Sequence, residues 1–140
     1  MTRALLDTDV VLDVLLERQP FVDMAARLWR AHEQGLFEGY IAAITPLNVA
    51  YIVRRQRDRA VAIMAVDGLL ATFGVCAMDG AVLRLARHLP MNDFEDAAQA
   101  AAAATAGVEA IITRNGVDFS GAPIPVYSPD EFLAQLSTTD

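Results

Sequence analysis

Short apolar runs, each too brief to be a helix, alternate along this chain with longer stretches of helical spacing. Arg3-Ala4-Leu5-Leu6, Gly39 to Ala43, Gly74 to Met78 and Glu109 to Thr113 are the runs, and each reads as a buried strand. Asp7-Thr8-Asp9 opens a helix over Val10 to Glu17, and a second helix follows Gln19-Pro20 to about Gln34, with Gly35 as its stop. Thr45-Pro46 starts a helix through Gln56, and another covers Arg59 to Leu70. Asp79 is placed to cap a short helix to His88. Asn92, with Glu95 at capping-box spacing, is placed to cap an alanine-rich helix to Ala106, closed by Gly107. Ile124 to Tyr127 reads as an edge strand, because its prolines exclude a central position, and Ser128-Pro129 starts a last helix. Strands separated by helices imply an α/β fold, a three-layer α/β/α sandwich with a mostly parallel central sheet. At 140 residues this is expected to be one domain, 1–140. Such sheets bind ligands outside the carboxyl ends of their strands.

Charge narrows the chemistry. The eleven basic residues are all arginine, against 18 acids, for a net charge of -7. Without lysine, Schiff-base, P-loop and protein-kinase mechanisms are closed. An acidic chain that handles nucleic acid needs a local device to overcome its own field. The single cysteine, Cys76, forms no intrachain disulfide and fits a reducing cytoplasm. The apolar run before Asp7 is too short for a signal peptide, and the alanine run is too short to cross a bilayer, so no membrane association is expected.

Carboxylates cluster where this architecture puts its site. Asp7 follows the first strand, and Asp118 follows the fourth in Asn115-Gly116-Val117-Asp118. Asp93 and Asp96 open the alanine-rich helix, about 60° apart at ~100° per residue. Glu95 is expected to point elsewhere, its role taken by the capping box, while Phe94, Ala98, Ala101 and Thr105 form a packing stripe. Two carboxylates 4 Å apart repel by about 4 kcal/mol at an effective dielectric near 20. Three sharing a crevice therefore raise a pKa or take a cation. Hard oxygen ligands favour Mg²⁺ or Mn²⁺. Zinc is disfavoured, since nothing groups Cys76, His32 and His88. Such an ion suggests phosphoryl chemistry, with water activated and phosphodiester charge neutralised. The competing reading of each acid is a helix N-terminus or turn residue, stabilising the dipole by up to about 1 kcal/mol. Asp9 is assigned an indirect site role, Asp79 a cap, His32 and His88 surface positions, and Cys76 a core position. Arg54, Arg55, Arg57 and Arg59 form the basic run, of which Arg54, Arg55 and Arg57 are the candidate RNA contacts. They read either as a solvated helix face or as a track for RNA phosphates beside the acids.

Leu5-Leu6-Asp7-Thr8-Asp9-Val10-Val11-Leu12-Asp13, then Asn92-Asp93-Phe94-Glu95-Asp96-Ala97, then Thr113-Arg114-Asn115 with Asp118-Phe119, resembles the PIN-domain family, and most of all its small VapC-type toxins. The resemblance implies an endoribonuclease dependent on Mg²⁺ or Mn²⁺. By position, Asp7, Asp96 and Asp118 match the family's metal-site acids, Asp93 an accessory acid, and Thr113 and Asn115 polar residues lining the site. It also implies a cognate antitoxin and a homodimer. The family's usual glutamate on the helix after the second strand is here Asn48, which carries no charge. On that departure rests the alternative of a catalytically weak or inactive PIN-like module that binds RNA or protein. Asp7-Thr8-Asp9 also resembles the start of phosphoaspartyl enzymes, which normally set a lysine against the phosphoryl group.

Overall fold

The computed structural model describes residues 1–138, and Thr139 and Asp140, the end of the expected domain, lie outside them. Among the described residues five strands form one parallel sheet: β1 (Arg3–Leu6), β2 (Glu38–Ala42), β3 (Gly74–Cys76), β4 (Ala110–Ile112) and β5 (Val126–Tyr127). Their order is β3-β2-β1-β4-β5, with Leu5 in register with Tyr40 on one side and Ile111 on the other. Ala4 to Leu6 of β1 and all of β4 are apolar and buried because both faces are covered. Ala4, Leu6, Ile41 and Ile112 turn towards one layer, formed by α1 (Thr8–Leu15), α2 (Val22–Glu33), α3 (Ile44–Gln56), α4 (Arg59–Thr72) and α7 (Pro129–Thr138). Leu5, Ala42 and Ile111 turn towards the other, formed by α5 (Gly80–His88) and α6 (Phe94–Thr105). This is the three-layer α/β/α sandwich that the strand–helix alternation implies. Among the described residues no helix is long and apolar enough to cross a membrane.

Aspartates start three of the helices. Asp58, Asp79 and Asp93 accept the N–H of Val61, Val82 and Asp96 at 2.8, 3.0 and 2.9 Å. The cap of α6 is therefore Asp93, not Asn92, and there is no capping box. Asn and Asp cap equally well, so tertiary packing chose the register. Two members of the expected packing stripe, at the two ends of the helix, are not packed: Phe94 is 52% exposed and Thr105 lies at the surface. From Ala97 to Ala103 every α6 residue is buried instead, enclosed by the sheet, α5 and the turn after β4. Alanine is the side chain that allows approach from every side.

Two further expectations change. β3 ends at Cys76 rather than Met78. His32 is half-buried rather than a surface residue. Its Nδ1 accepts the Gly39 N–H at 2.9 Å, so its Nε2 carries the proton and donates to the Thr72 carbonyl at 2.7 Å. The ring stacks on Phe73 with centroids 4.7 Å apart, tying α2 to β2 and the end of α4.

One glycine holds the site-bearing loops together. Gly121, at φ +94°, lies so near Pro90 that a Cβ would fall 2.3 Å from its carbonyl oxygen. The turn after β4 thereby packs against the segment that leads into α6, a contact no other residue type permits.

Candidate active site

Strand order reverses between β1 and β4: the chain builds outward through β2 and β3, then returns to the other side of β1. A crevice opens outside the carboxyl ends of the two strands at such a switch point. Asp7 and Thr113 are the first residues past those ends.

Asp7 occupies the N-cap position of α1 but does not cap it with its side chain. Its carboxylate turns into the crevice, where Thr113 Oγ1 donates to Oδ2 at 2.8 Å and Gln99 Nε2 donates to Oδ1 at 3.1 Å. Only 5% of Asp7 is exposed. Thr113 Oγ1 also accepts the Asn115 N–H at 3.0 Å, and Asn115 Nδ2 donates to Asp9 Oδ2 at 3.2 Å. Arg18 completes the chain at Asp9 Oδ1, 3.3 Å away. The loop after β4 and the first turn of α1 are thus bonded into one wall.

Asp7, Asp9, Asp96, Asp118, Asn48 and Asn115 all line one pocket of about 180 Å³. Thr113 holds Asp7 from behind it. Asp93, whose carboxylate caps α6, stands outside the lining, although its charge acts on Asp96. Glu95 and Gln99 also line the pocket, outside the set of site residues the sequence suggests. Glu95, assigned to a capping box, instead accepts from Asn48 Nδ2 at 2.6 Å across the pocket mouth. A carboxylate therefore stands beside Asn48, supplied from α6. Gln99 is the one amide in the alanine run, and that is the signal the sequence offers for it.

The crevice is electrostatically tense. Burial raises the pKa of Asp7, and the hydrogen bonds from Thr113 and Gln99 oppose that rise. Asp96 is pushed up to about 7, first by burial and then by the charges of Asp7, Asp93, Asp118 and Glu95. Its coupling to Asp7 and Asp118 puts these acids, distant in sequence, within each other's field. Among the described residues no three His, Cys, Asp or Glu side chains are drawn close enough to form a closed ligand set. Mg²⁺ needs only one or two carboxylates besides water. The donor set fits such an ion: all oxygen, with one buried amide oxygen, Gln99 Oε1, that has no hydrogen-bond partner.

The remaining candidates lie elsewhere. Arg55 sits on the face of α3 that continues from Ile52, a pocket residue, and donates to the Tyr51 hydroxyl at 2.9 Å. Arg54 faces α4, lining a groove with Ala62 and Ile63. Arg57 follows the end of α3 and is exposed. His88 is exposed, and Cys76 is core, its thiol pushed up to about 11 by burial. Asp13, beneath the wall, pairs with Arg114 (Nε to Oδ2 2.8 Å) instead of facing the pocket.

The profile of the PIN domain family matches residues 3–116, ending two residues before Asp118. Solved structures share the fold. The DNA-bound VapBC structure from Salmonella typhimurium aligns with a TM-score of 0.71 at 16% identity, over 92% of this chain and 99% of that one. VapC20 of Mycobacterium tuberculosis, a Sarcin-Ricin loop cleaving toxin, aligns at 0.69 and 18%, over 86% and 95%. A toxin–antitoxin complex from Klebsiella pneumoniae aligns at 0.66 and 25%, over 90% and 97%. No curated protein sequence matches the chain. The family match takes in both strands of the switch point and the whole acidic helix between them, and the chain belongs to the PIN domain family.

Proposed function

We propose that the chain is an endoribonuclease dependent on Mg²⁺ or Mn²⁺, the toxin of a toxin–antitoxin pair. The observation that carries this reading is the buried Asp7 at the β1–β4 switch point, facing Asp96 and Asp118 across one pocket. The lining contains no basic residue and no cysteine, and its one hydroxyl, Thr8 Oγ1, is bonded to Thr45 Oγ1 at 2.8 Å. A phosphodiester placed there meets no protein cation and no hydroxyl or thiol free to attack it. Asp7, Asp96 and Asp118 would surround the divalent ion, one or two of them as direct ligands and the rest through its waters, and the ion when bound would supply charge neutralisation and an acidified water. Thr113 and Gln99 orient Asp7, Asn115 and Asp9 brace the loop bearing Asp118, and Leu12, Ile52 and Phe119 wall the pocket with apolar surface. Against the reading of an inactive module, Glu95 keeps a carboxylate where Asn48 brings none.

The partners follow from the same reading. The relatives crystallised as toxin–antitoxin complexes support a cognate antitoxin. Leu47, Tyr51, Met64 and Leu70 leave exposed apolar surface along α3 and α4, which supports a homodimer. The buried cysteine fits the cytoplasm.

Single-stranded RNA incubated with the protein and Mn²⁺ is expected to be cut, with cleavage lost in EDTA and in Asp7→Asn. Equal cleavage by Asp7→Asn and the wild type would reject the site. RNA affinity should also separate the arginines. Arg55→Ala is expected to lower the slope of log K against log[salt] by about 0.7, the loss of one phosphate contact on single-stranded RNA. Arg54→Ala, on the α4 side, is expected to leave the slope unchanged. Equal effects of the two would return the run to a solvated face.

A further inference from the structure

Gln99 is the one polar side chain in the buried stretch Ala97–Ala103 of α6, and only 1% of it is exposed. Its Nε2 is spent on Asp7 Oδ1. Its Oε1 belongs to the pocket lining residue and has no hydrogen-bond partner. Buried polar atoms are nearly always paired, and leaving one unpaired is costly. An alanine here would match its neighbours and avoid that cost. The amide cannot relieve it by turning over, because Oε1 would then face a carboxylate oxygen, acceptor against acceptor.

A neutral oxygen suits this position better than another acid. Asp7, Glu95, Asp96 and Asp118 already crowd the pocket with charge. An amide oxygen adds a hard lone pair without adding repulsion, and amide oxygens are ordinary ligands of hard cations.

We propose that Gln99 is a positioning residue of this site, aiming Asp7 through Nε2 and offering Oε1 to a hard divalent cation or its hydration water. The inference rests on the nuclease reading and assigns it a residue outside the acidic set. The partner of Oε1 is thus the ion-binding centre of the pocket, and the buried amide is kept for it.

The test is a calorimetric titration with Mn²⁺, alongside melting curves in EDTA. Gln99→Met keeps the length and unbranched shape of the side chain but removes both polar atoms. It is expected to melt close to the wild type in EDTA, since removing the unpaired Oε1 offsets the lost bond to Asp7, and to bind Mn²⁺ about 10-fold or more weakly, as loss of a group that orients a metal ligand typically does. Gln99→Glu keeps an oxygen but sets a charge beside Asp7. It is expected to melt lower in EDTA and to gain more from Mn²⁺ than the wild type does, and it carries the test if the Met variant does not fold. A wild type that binds Mn²⁺ and a Met variant that binds it equally well would overturn the role of Gln99 while leaving the nuclease reading intact. So would a Glu variant with no larger gain from Mn²⁺. A wild type that binds no Mn²⁺ would overturn both.

Discussion

Asp96→Asn is expected to make the metal-free protein more stable at neutral pH and to lower RNA cleavage by about 10²–10³-fold, the scale on which loss of one electrostatic stabiliser acts. The stability gain follows from the pKa of Asp96. Burial and four neighbouring acids hold it at about 7, against an ordinary value of 3.8. Between those values the folded chain keeps a proton that the unfolded chain has released. Stability therefore falls as pH rises through this window: the contribution of the neutral carboxyl is complete below 3.8 and lost above about 7. An asparagine is neutral throughout and avoids the loss. Melting curves in EDTA from pH 5 to 8.5 should show the wild type declining relative to the variant. With Mn²⁺ at high pH the order should reverse, since only the wild type gains an ion bound to its native state. Mn²⁺ affinity of the wild type should weaken as pH falls below about 7, because a ligand must shed its proton first. An Asp96→Asn protein no more stable than the wild type at pH 8 in EDTA would contradict the electrostatic picture. A gain in stability with a loss of activity is the trade expected at a site that gathers like charges.

The second large effect lies beneath the site. The Asp13 carboxylate is 1% exposed and is gripped by Arg114 through Nε at 2.8 Å and a second nitrogen at 3.4 Å. Arg18 approaches the same carboxylate only to 3.7 Å, and the Arg114 guanidinium lies 4.1 Å from the centre of the Phe21 ring. Arg114→Ala strands a buried charge with its poorer partner. It is expected to cost about 3 kcal/mol, the low end for breaking a buried pair because Arg18 remains. That corresponds to a fall in Tm of roughly 10 °C for a chain of this size. Adding Asp13→Asn should recover part of the loss, since the penalty comes mainly from an unpaired charge rather than from the missing contact. Chemical denaturation of the two single variants and the double variant measures this directly. A cost for Arg114→Ala under about 1 kcal/mol, with no recovery in the double variant, would place the pair among exposed ion pairs of small worth. Arg114 stands between Thr113 and Asn115, so this pair also fixes the β4 side of the pocket to α1.

The elements were legible in the sequence because each carries its own local signal. Strand runs buried on both faces are apolar throughout, and helix starts carry aspartate. Errors arose where two local solutions are nearly equal in energy. Asn92 and Asp93 are both good caps, and nothing local separates them. With Asp93 as the cap, Glu95 is free of a capping role and meets Asn48 at the pocket mouth, while Phe94 lies exposed at the helix start. His32 was misplaced because its partners, Gly39 and Thr72, come from other elements. The arginine run divides because adjacent helical residues point ~100° apart: Arg54 meets α4, while Arg55 lines a separate surface with Tyr51 and Ile52.

By itself the sequence determined the fold class and the chemical kind of the site, because periodicity, apolar runs and the supply of aspartates without lysine are properties of the chain. Only the tertiary structure decided which acids share a field and which amide joins them. Asp7 and Gln99 meet across 92 residues. The protonation of Asp96 depends on burial and on charges brought from three separate parts of the chain. Coulomb energy and desolvation are functions of distance and surroundings, and neither exists until the chain has closed around the crevice.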